Sequence, residues 1–485
     1  MTSSPFNLLS IAAPIVLGAG ILLVLLVDLL FGKSERIPSG KDRRLTQVCA
    51  LAVVAIAGAV TIAAWGQGDS GFFGQVSGDG FASFFNLIFL AVTFLVILSS
   101  PNYLARGGIH YGEYYVLILL ATLGMSFMAL GTNLLIIFLG LETMSVSLYV
   151  LAGFHRERPR SNEASLKYLL LGAFSTGFLL YGIALVYGQT GSLNLSDFAA
   201  YLQNAANPFA GYMGIALALL LIGLAFKMAA VPFHFWSPDV YDGAPTPVTA
   251  FMSAAPKAAA FAAALRIFYE PAMSLGLPWQ QILWVIAVLT MTLGNLSALT
   301  QSSFKRMLAY SSIAHAGYLL VGLTAGGSLA GAGMLYYLGG YVFMNVGAFT
   351  LAYLVNRRGA GDYAIADYAG LATRHPVMAA IMSIFMLSLT GIPPLAGFFG
   401  KFYVFSAAVQ QGYIWLVVIG VLNSVVAVFY YLRIMVIMYM REGEGLRDLE
   451  HAPSVAFTAA VCSIAIVLLG ILPGSLLDLA RASLP

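Results

Sequence analysis

Charge is what this 485-residue sequence has least of: Asp, Glu, Lys and Arg make up 9% of it against 60% hydrophobic residues, with a mean hydropathy of +0.88. A soluble domain has about 25% charged residues and could not bury this much apolar surface, so a polytopic membrane protein is left. Cysteine is nearly absent too. Cys49 and Cys462 stand far apart in apolar runs without Cys-x-x-Cys spacing, which excludes a disulfide framework or a cluster site and leaves them as small core residues. No glycine-rich dinucleotide turn stands between a strand and a helix, and no two histidines have ligand spacing. Nucleotide, iron–sulfur and haem chemistry therefore have no residues to use, and electron transfer on this chain is excluded. A net charge of +3 spread over loops offers no basic patch for nucleic acid.

What is present is a series of apolar runs. About fourteen are long enough to cross a ~30 Å hydrocarbon core as helices; they centre near residues 20, 55, 90, 122, 142, 176, 221, 257, 289, 313, 342, 385, 425 and 465. The first lacks a basic leader and an Ala-x-Ala exit, so a retained span is expected and not a cleaved signal. Two runs are interrupted. The seventh breaks at Pro232 in "FKMAAVPFHFW", and the twelfth at Gly391, Pro393, Pro394 and Gly397 in "TGIPPLAGFFGK". Interruptions five spans apart suggest two five-helix repeats, spans 4–8 and 9–13; an odd number of spans per unit puts the two in opposite membrane orientations. The expected organisation is all-α: a three-helix segment over residues 1–110, repeats over 111–275 and 276–440, and a last helix over 441–485.

Basic residues sort by loop. Lys33, Arg36, Lys41, Arg43 and Arg44 fill the first loop, Arg106 the third, and Arg156, Arg158 and Arg160 the fifth. Later odd loops follow with Lys305 and Arg306, then Arg357, Arg358 and Arg374, then Arg441 and Arg447. Even loops are almost free of Lys and Arg, so the positive-inside rule places odd loops in the cytoplasm and both termini on the outer side of the membrane. Arg266 and Arg433 can snorkel toward a surface.

The remainder lies deep: Lys167, Lys227, Lys257 and Lys401, one carboxylate, Glu142, and two histidines, His234 and His315. A central lysine costs roughly 2.5–3.5 kcal/mol on insertion scales. One such lysine is as consistent with snorkelling or a static packing ion pair, and Lys167 is near enough the fifth loop to snorkel. Four lysines facing one carboxylate must contact water or spend time deprotonated, which a hydrated relay satisfies. A single proline can be a simple kink, but two breaks, each within about eight residues of a lysine, point to freed backbone lining a polar cavity.

The stretches "FKMAAVPFHFWSPDVYDGAPTPVTAFMSAAPKAAAF", "KRMLAYSSIAHAGY" and "LTGIPPLAGFFGKFYVF" resemble the antiporter-like membrane subunits of respiratory complex I and the related multi-subunit cation/proton antiporters, over about residues 110–440. Within that group the resemblance is nearest to the subunit N branch: a lysine, Lys401, occupies the twelfth span where a glutamate is expected in subunit M, and no long lateral helix of subunit L follows span fourteen. The resemblance implies a midplane chain of charged residues. Glu142 and Lys227 would be its paired site, Lys257 the central lysine and Lys401 the terminal one; Lys167 would modulate the pair, His315 would link Lys257 to Lys401, and His234 would support the chain. It also implies proton translocation in NADH:quinone oxidoreductase, with FMN, iron–sulfur clusters and quinone in partner subunits, none on this chain, and contacts to other membrane-arm subunits and lipids. A sodium/proton antiporter or membrane-bound hydrogenase subunit, or a non-transporting scaffold, are the alternatives.

Overall fold

The computed structural model describes residues 6–31, 43–204, 209, 211–355, 363–443 and 452–484. Lys33, Arg36, Lys41, Arg357, Arg358 and Arg447, used above for orientation, lie outside the described residues. The chain is a helical membrane bundle. Helices α1 (Ala12–Phe31) and α2 (Arg44–Ala63) lead through a small antiparallel hairpin, β1 (Gly68–Gly71) and β2 (Val76–Gly78), to α3 (Gly80–Ser99), capped by Asp79 accepting from the Ala82 amide at 2.9 Å. A short α4 (Pro101–Arg106) precedes α5 (Glu113–Leu130), α6 (Leu134–Ala152), α7 (Pro159–Thr190) and the surface helix α8 (Leu195–Asn204). Then come the halves of span seven, α9 (Met213–Met228) and α10 (Trp236–Gly243), and α11 (Thr246–Leu299), which holds two spans, Thr246–Tyr269 and Pro278–Leu299. The divide drawn at 275/276 falls between those spans. Helices α12 (Phe304–Ala325), α13 (Gly327–Val355) and the short α14 (Leu371–Arg374) lead to the halves of span twelve, α15 (Pro376–Thr390) and α16 (Ala396–Gln410). Finally α17 (Ile414–Met440), α18 (Pro453–Ile471) and the short α19 (Pro473–Ala482) close the fold.

Among the described residues twelve helices are long and apolar enough to cross a membrane, and α9 and α15 are shorter apolar helices. Each of these two begins a broken span, so the fourteen runs of the sequence all have their helices. Burial separates an inner from an outer set. Thr246–Tyr269 is wholly buried and α12 and α13 nearly so, whereas α1, α2, α7 and α17 turn apolar side chains such as Leu30, Phe174 and Phe429 outward. Apolar side chains facing outward are the surface that hydrocarbon covers. Helices α5 and α6 approach to backbone contact at Gly124 and Gly140, where small residues let membrane helices pack closely.

The two breaks solve the same problem, backbone groups without helical partners. Helix α9 ends where Ala229 turns into the left-handed region (φ 58°), unusual for a residue with a Cβ. The freed groups are then taken up: the Val231 amide donates to Thr290 Oγ1 at 3.0 Å, and Trp236 Nε1 donates to the Phe226 carbonyl at 2.9 Å. Helix α15 ends at Gly391 (φ 92°), where glycine is the natural choice. Its Leu387 carbonyl accepts from the Gly391 and Ile392 amides, both at 3.1 Å, and the Gly397 amide donates to Ser388 Oγ at 3.2 Å. Both breaks contain a cis proline bond, Val231–Pro232 and Pro393–Pro394.

One expectation is corrected. Arg266 does not snorkel: its side chain is 5% exposed and its guanidinium makes a bidentate pair with Asp79, both bonds 2.7 Å, while Nε donates to the Ala129 carbonyl at 3.0 Å. It staples α11 to the start of α3.

Candidate functional site

Lys227 lies on the last turn of α9, one residue before the helix ends, and is 5% exposed. Its ammonium donates to Ser145 Oγ at 2.7 Å and to Tyr149 OH at 3.3 Å, both on α6, and lies 5.3 Å from the Tyr149 ring centre and 5.5 Å from that of Tyr168. Cation–π contact is strongest where water is excluded, so these rings offset part of the burial penalty. Glu142, Ser145 and Tyr149 stand at i, i+3 and i+7, one face of α6. Lys227 is therefore docked one turn along from Glu142 and makes no ion pair with it; the half-buried Glu142 instead accepts from Thr176 Oγ1 at 2.8 Å. Glu142 and the acceptors that hold Lys227 thus share one face of α6, and the expected ion pair between Glu142 and Lys227 is not formed.

Lys257, 2% exposed, donates to both the carbonyl and the Oγ of Ser312 at 2.5 Å, and Tyr341 OH donates to the same Oγ at 2.8 Å. One turn on, His315 hydrogen-bonds through Nδ1 to Tyr337 OH at 2.6 Å and through Nε2 to Tyr431 OH at 3.1 Å. Tyr431 also bonds Ser311. Tyr318, the next turn of α12, sits edge-on to His315 with ring centres 5.7 Å apart, and the Lys401 ammonium lies 4.6 Å from the Tyr318 ring centre. His315 thus stands between the surroundings of Lys257 and of Lys401. Lys401 itself donates to the Thr390 carbonyl at 2.9 Å and the Leu389 carbonyl at 3.4 Å, groups freed by the end of α15. Around it a cavity of about 590 Å³ opens between α16 and α17, with Gly391, Phe398 and Phe402 in its wall.

Two predicted residues lie apart from this chain. Lys167 is half-exposed and bonds Asp239 and Glu163, each at 2.7 Å. Asp239 is shared with Arg306 at 2.7 Å, in a charged cleft that also includes Asp242. His234 is buried within the first break against Phe235, its Nδ1 without a hydrogen-bond partner among the described residues, and it bonds neither Lys227 nor Lys257. The helix-break prolines Pro232, Pro393 and Pro394 all lie in the non-helical segments that flank Lys227 and Lys401.

Sequence reasoning missed the hydroxyl partners: Ser145, Tyr149, Ser312, Tyr337 and Tyr431. Helical spacing from Glu142 to Ser145 and Tyr149, and from His315 to Ser312, was the available signal; none existed for Tyr337 and Tyr431, which come from other helices. It also counted Lys305 among loop charges, whereas the structure buries it to 1% exposure.

Among the described residues, fourteen spans, two of them broken, and three buried lysines held by hydroxyls and freed carbonyls are the features of a multi-span membrane subunit with a polar interior. The chain belongs to the NADH:quinone oxidoreductase/Mrp antiporter transmembrane family, whose model matches residues 131–427. It is 49% identical over 446 residues to NADH-quinone oxidoreductase subunit N of Trichlorobacter lovleyi, covering 92% of this chain and 91% of that one. Its fold matches a chain of respiratory complex I from Thermus thermophilus (TM-score 0.82, 34% identity, 97% of this chain and 99% of that one). It also matches in fold a chain of the Mrp complex from Dietzia (TM-score 0.83, 22% identity, 99% of this chain and 97% of that one).

Proposed function

We propose that this chain is a proton-conducting membrane-arm subunit of a bacterial NADH:quinone oxidoreductase, in the subunit N position beside other membrane subunits. Redox chemistry, with FMN, iron–sulfur clusters and quinone, belongs to partner subunits, and both termini face the periplasm. The observation that carries this reading is that Lys227, Lys257 and Lys401 are each at most 5% exposed, and each is held by hydroxyl or carbonyl oxygens and, among the described residues, by no carboxylate. A static packing pair would have a carboxylate partner. An ammonium held only by neutral acceptors is not locked into an ion pair and can exchange partners and protons.

Glu142 and Lys227 supply the switch. In the observed arrangement Lys227 rests on Ser145 and Glu142 on Thr176. One turn of α6, about 5 Å, separates the two resting places of the ammonium. Moving to Glu142 stabilises its charge, and returning to Ser145 loosens it for transfer toward Lys257. Moving one charge across the membrane costs about 2.3 kcal/mol per 100 mV, so rearrangements worth a few kcal/mol suffice to gate the step. Lys401, backed by carbonyls that the break exposes, is the terminal site.

A tagged chain purified in mild detergent decides the parent complex. Recovery with an NADH-oxidising, quinone-reducing arm is the expected result; recovery with hydrogenase or antiporter subunits instead would overturn it. Lys401→Met in that complex should depress NADH-driven acidification of inverted vesicles, and unchanged acidification with full assembly would leave Lys401 outside the path.

A further inference from the structure

Lys305 is a buried lysine with no place in the relay described so far. It lies on the first turn of α12, 1% exposed, beside Arg306, which reaches the charged cleft. Its ammonium donates to the Asp242 carbonyl at 3.0 Å and the Ala244 carbonyl at 2.7 Å, and sits 5.1 Å from the Tyr363 ring centre. The Asp242 carboxylate does not pair with it; Ser303 Oγ donates to that carboxylate at 2.8 Å.

Two rows of polar side chains lead inward from this point. On α11, Thr246, Thr249, Ser253 and Lys257 are spaced by three, four and four residues, and all are buried in an otherwise apolar stretch. That spacing is one helix face. On α12, Lys305, Ser312 and His315 follow at seven and three residues, and α11 and α12 pack against each other. The rows meet at both ends. At the inner end Lys257 holds Ser312. At the outer end the Ala244 carbonyl accepts both from Lys305 and from Thr249 Oγ1, the latter at 3.5 Å, while Thr246 bonds Tyr363, the ring beneath Lys305. Outside them lies a cleft of about 250 Å³ lined by Arg160, Glu163, Lys167, Asp239, Asp242 and Arg306.

We infer that Lys305 is the loading lysine of the relay, taking protons from the charged cleft and passing them along the Thr246–Thr249–Ser253 hydroxyls to Lys257. The inference rests on the proton-conducting reading above. The Lys305 ammonium releases one proton and becomes a neutral amine; hydroxyls and intervening water pass a proton on; the neutral Lys257 amine becomes an ammonium; and Lys305 recovers its proton from water in the cleft. Successive rungs on the α11 face are about 4.5–6 Å apart along the axis, a gap that a water bridges. The bland role for Lys305 is a cap on the last carbonyls of α10, and an arginine would fill that role as well.

The test uses the assembled complex in inverted vesicles, with Lys257→Met as reference. Loss of NADH-driven acidification in Lys257→Met upholds the relay itself; normal acidification there overturns the relay and this inference with it. With the relay upheld, Lys305→Arg keeps the charge and the carbonyl contacts but cannot release a proton at accessible pH, so it is expected to assemble and to acidify about tenfold more slowly, equivalent to about 1.4 kcal/mol. Parental acidification by Lys305→Arg would reduce Lys305 to a cap and overturn the proposal while leaving the relay intact. Should Lys305→Arg not assemble, the Thr249→Val, Ser253→Ala double variant decides, since it changes no charge. Slowed acidification supports the hydroxyl path, and a parental rate overturns it.

Discussion

Gly140→Ala probes how finely the Lys227 site is positioned. A Cβ at Gly140 would lie 2.6 Å from the Gly124 carbonyl oxygen and 2.9 Å from the Met128 amide nitrogen, both rigid helix backbone, where ordinary contact begins at 3.4 Å. Helices α5 and α6 must therefore separate or rotate locally by roughly 0.8 Å, at an overpacking cost of about 1–3 kcal/mol. The same helix carries Glu142, Ser145 and Tyr149 within the next three turns, and the Lys227–Ser145 bond is 2.7 Å long. Hydrogen bonds tolerate about 0.5 Å beyond that length before they weaken. A shift of this size exceeds the tolerance, and misplacement on the ångström scale can cost up to about a hundredfold in rate. The assay is NADH-driven acidification of inverted vesicles, normalised to assembled complex by immunoblot. Gly140→Ala should fall at least roughly tenfold, whereas Gly18→Ala and Gly177→Ala, where a Cβ meets nothing within 4 Å, should match the parent. Parental acidification by fully assembled Gly140→Ala would refute the claim that the α6 face must be held in place.

Asp79→Ala leaves the Arg266 guanidinium buried without its partner; because Asp79 is 31% exposed the cost is discounted to about 2–3 kcal/mol, with about 1 kcal/mol more for the lost α3 cap. Shortened survival of the complex on heating checks it, Asp79→Asn should lose less because asparagine keeps the cap, and equal survival of Asp79→Ala and parent would contradict the staple. Gly391→Ala forces a Cβ onto a backbone at φ 92° and to 3.2 Å from Lys401 Cδ, so a cost of about 1–3 kcal/mol and slowed acidification are expected; an unaffected variant would show that the break tolerates side chains. For topology, in a background lacking Cys49 and Cys462, Gln67→Cys should react with an impermeant maleimide added to whole cells and Glu157→Cys should not. The opposite pattern would reverse the orientation.

The broad plan was legible because hydrocarbon demands long apolar runs, and each of the fourteen has its helix. The breaks were legible because Pro232, Gly391 and Pro394 cannot continue a helix without loss. Contacts across sequence were not. Arg266 reads as a snorkelling residue until the fold brings Asp79, 187 residues earlier, against it. Lys305 reads as a loop charge because it adjoins Arg306 at a helix start; only the packing of α10 against α12 turns its side chain onto the Asp242 and Ala244 carbonyls. Lys167 stands two turns from the fifth loop; the resemblance points it toward Glu142 and Lys227, whereas its ammonium reaches Asp239 and Glu163. The hydroxyl partners were hidden for a chemical reason: serine and threonine sit in membrane helices at little cost by bonding their own backbone, as Ser145 does to Leu141, and tyrosine is an ordinary packing residue, so their presence alone signals nothing.

The most direct test of a relay that works by exchanging protons is Lys227→Arg in the intact complex. Arginine keeps the positive charge near Ser145, Tyr149 and Glu142 but does not deprotonate at accessible pH. The account predicts full assembly with depressed quinone-linked NADH oxidation and depressed acidification of inverted vesicles; parental acidification by an assembled Lys227→Arg complex would contradict it and leave Lys227 a purely electrostatic or structural residue.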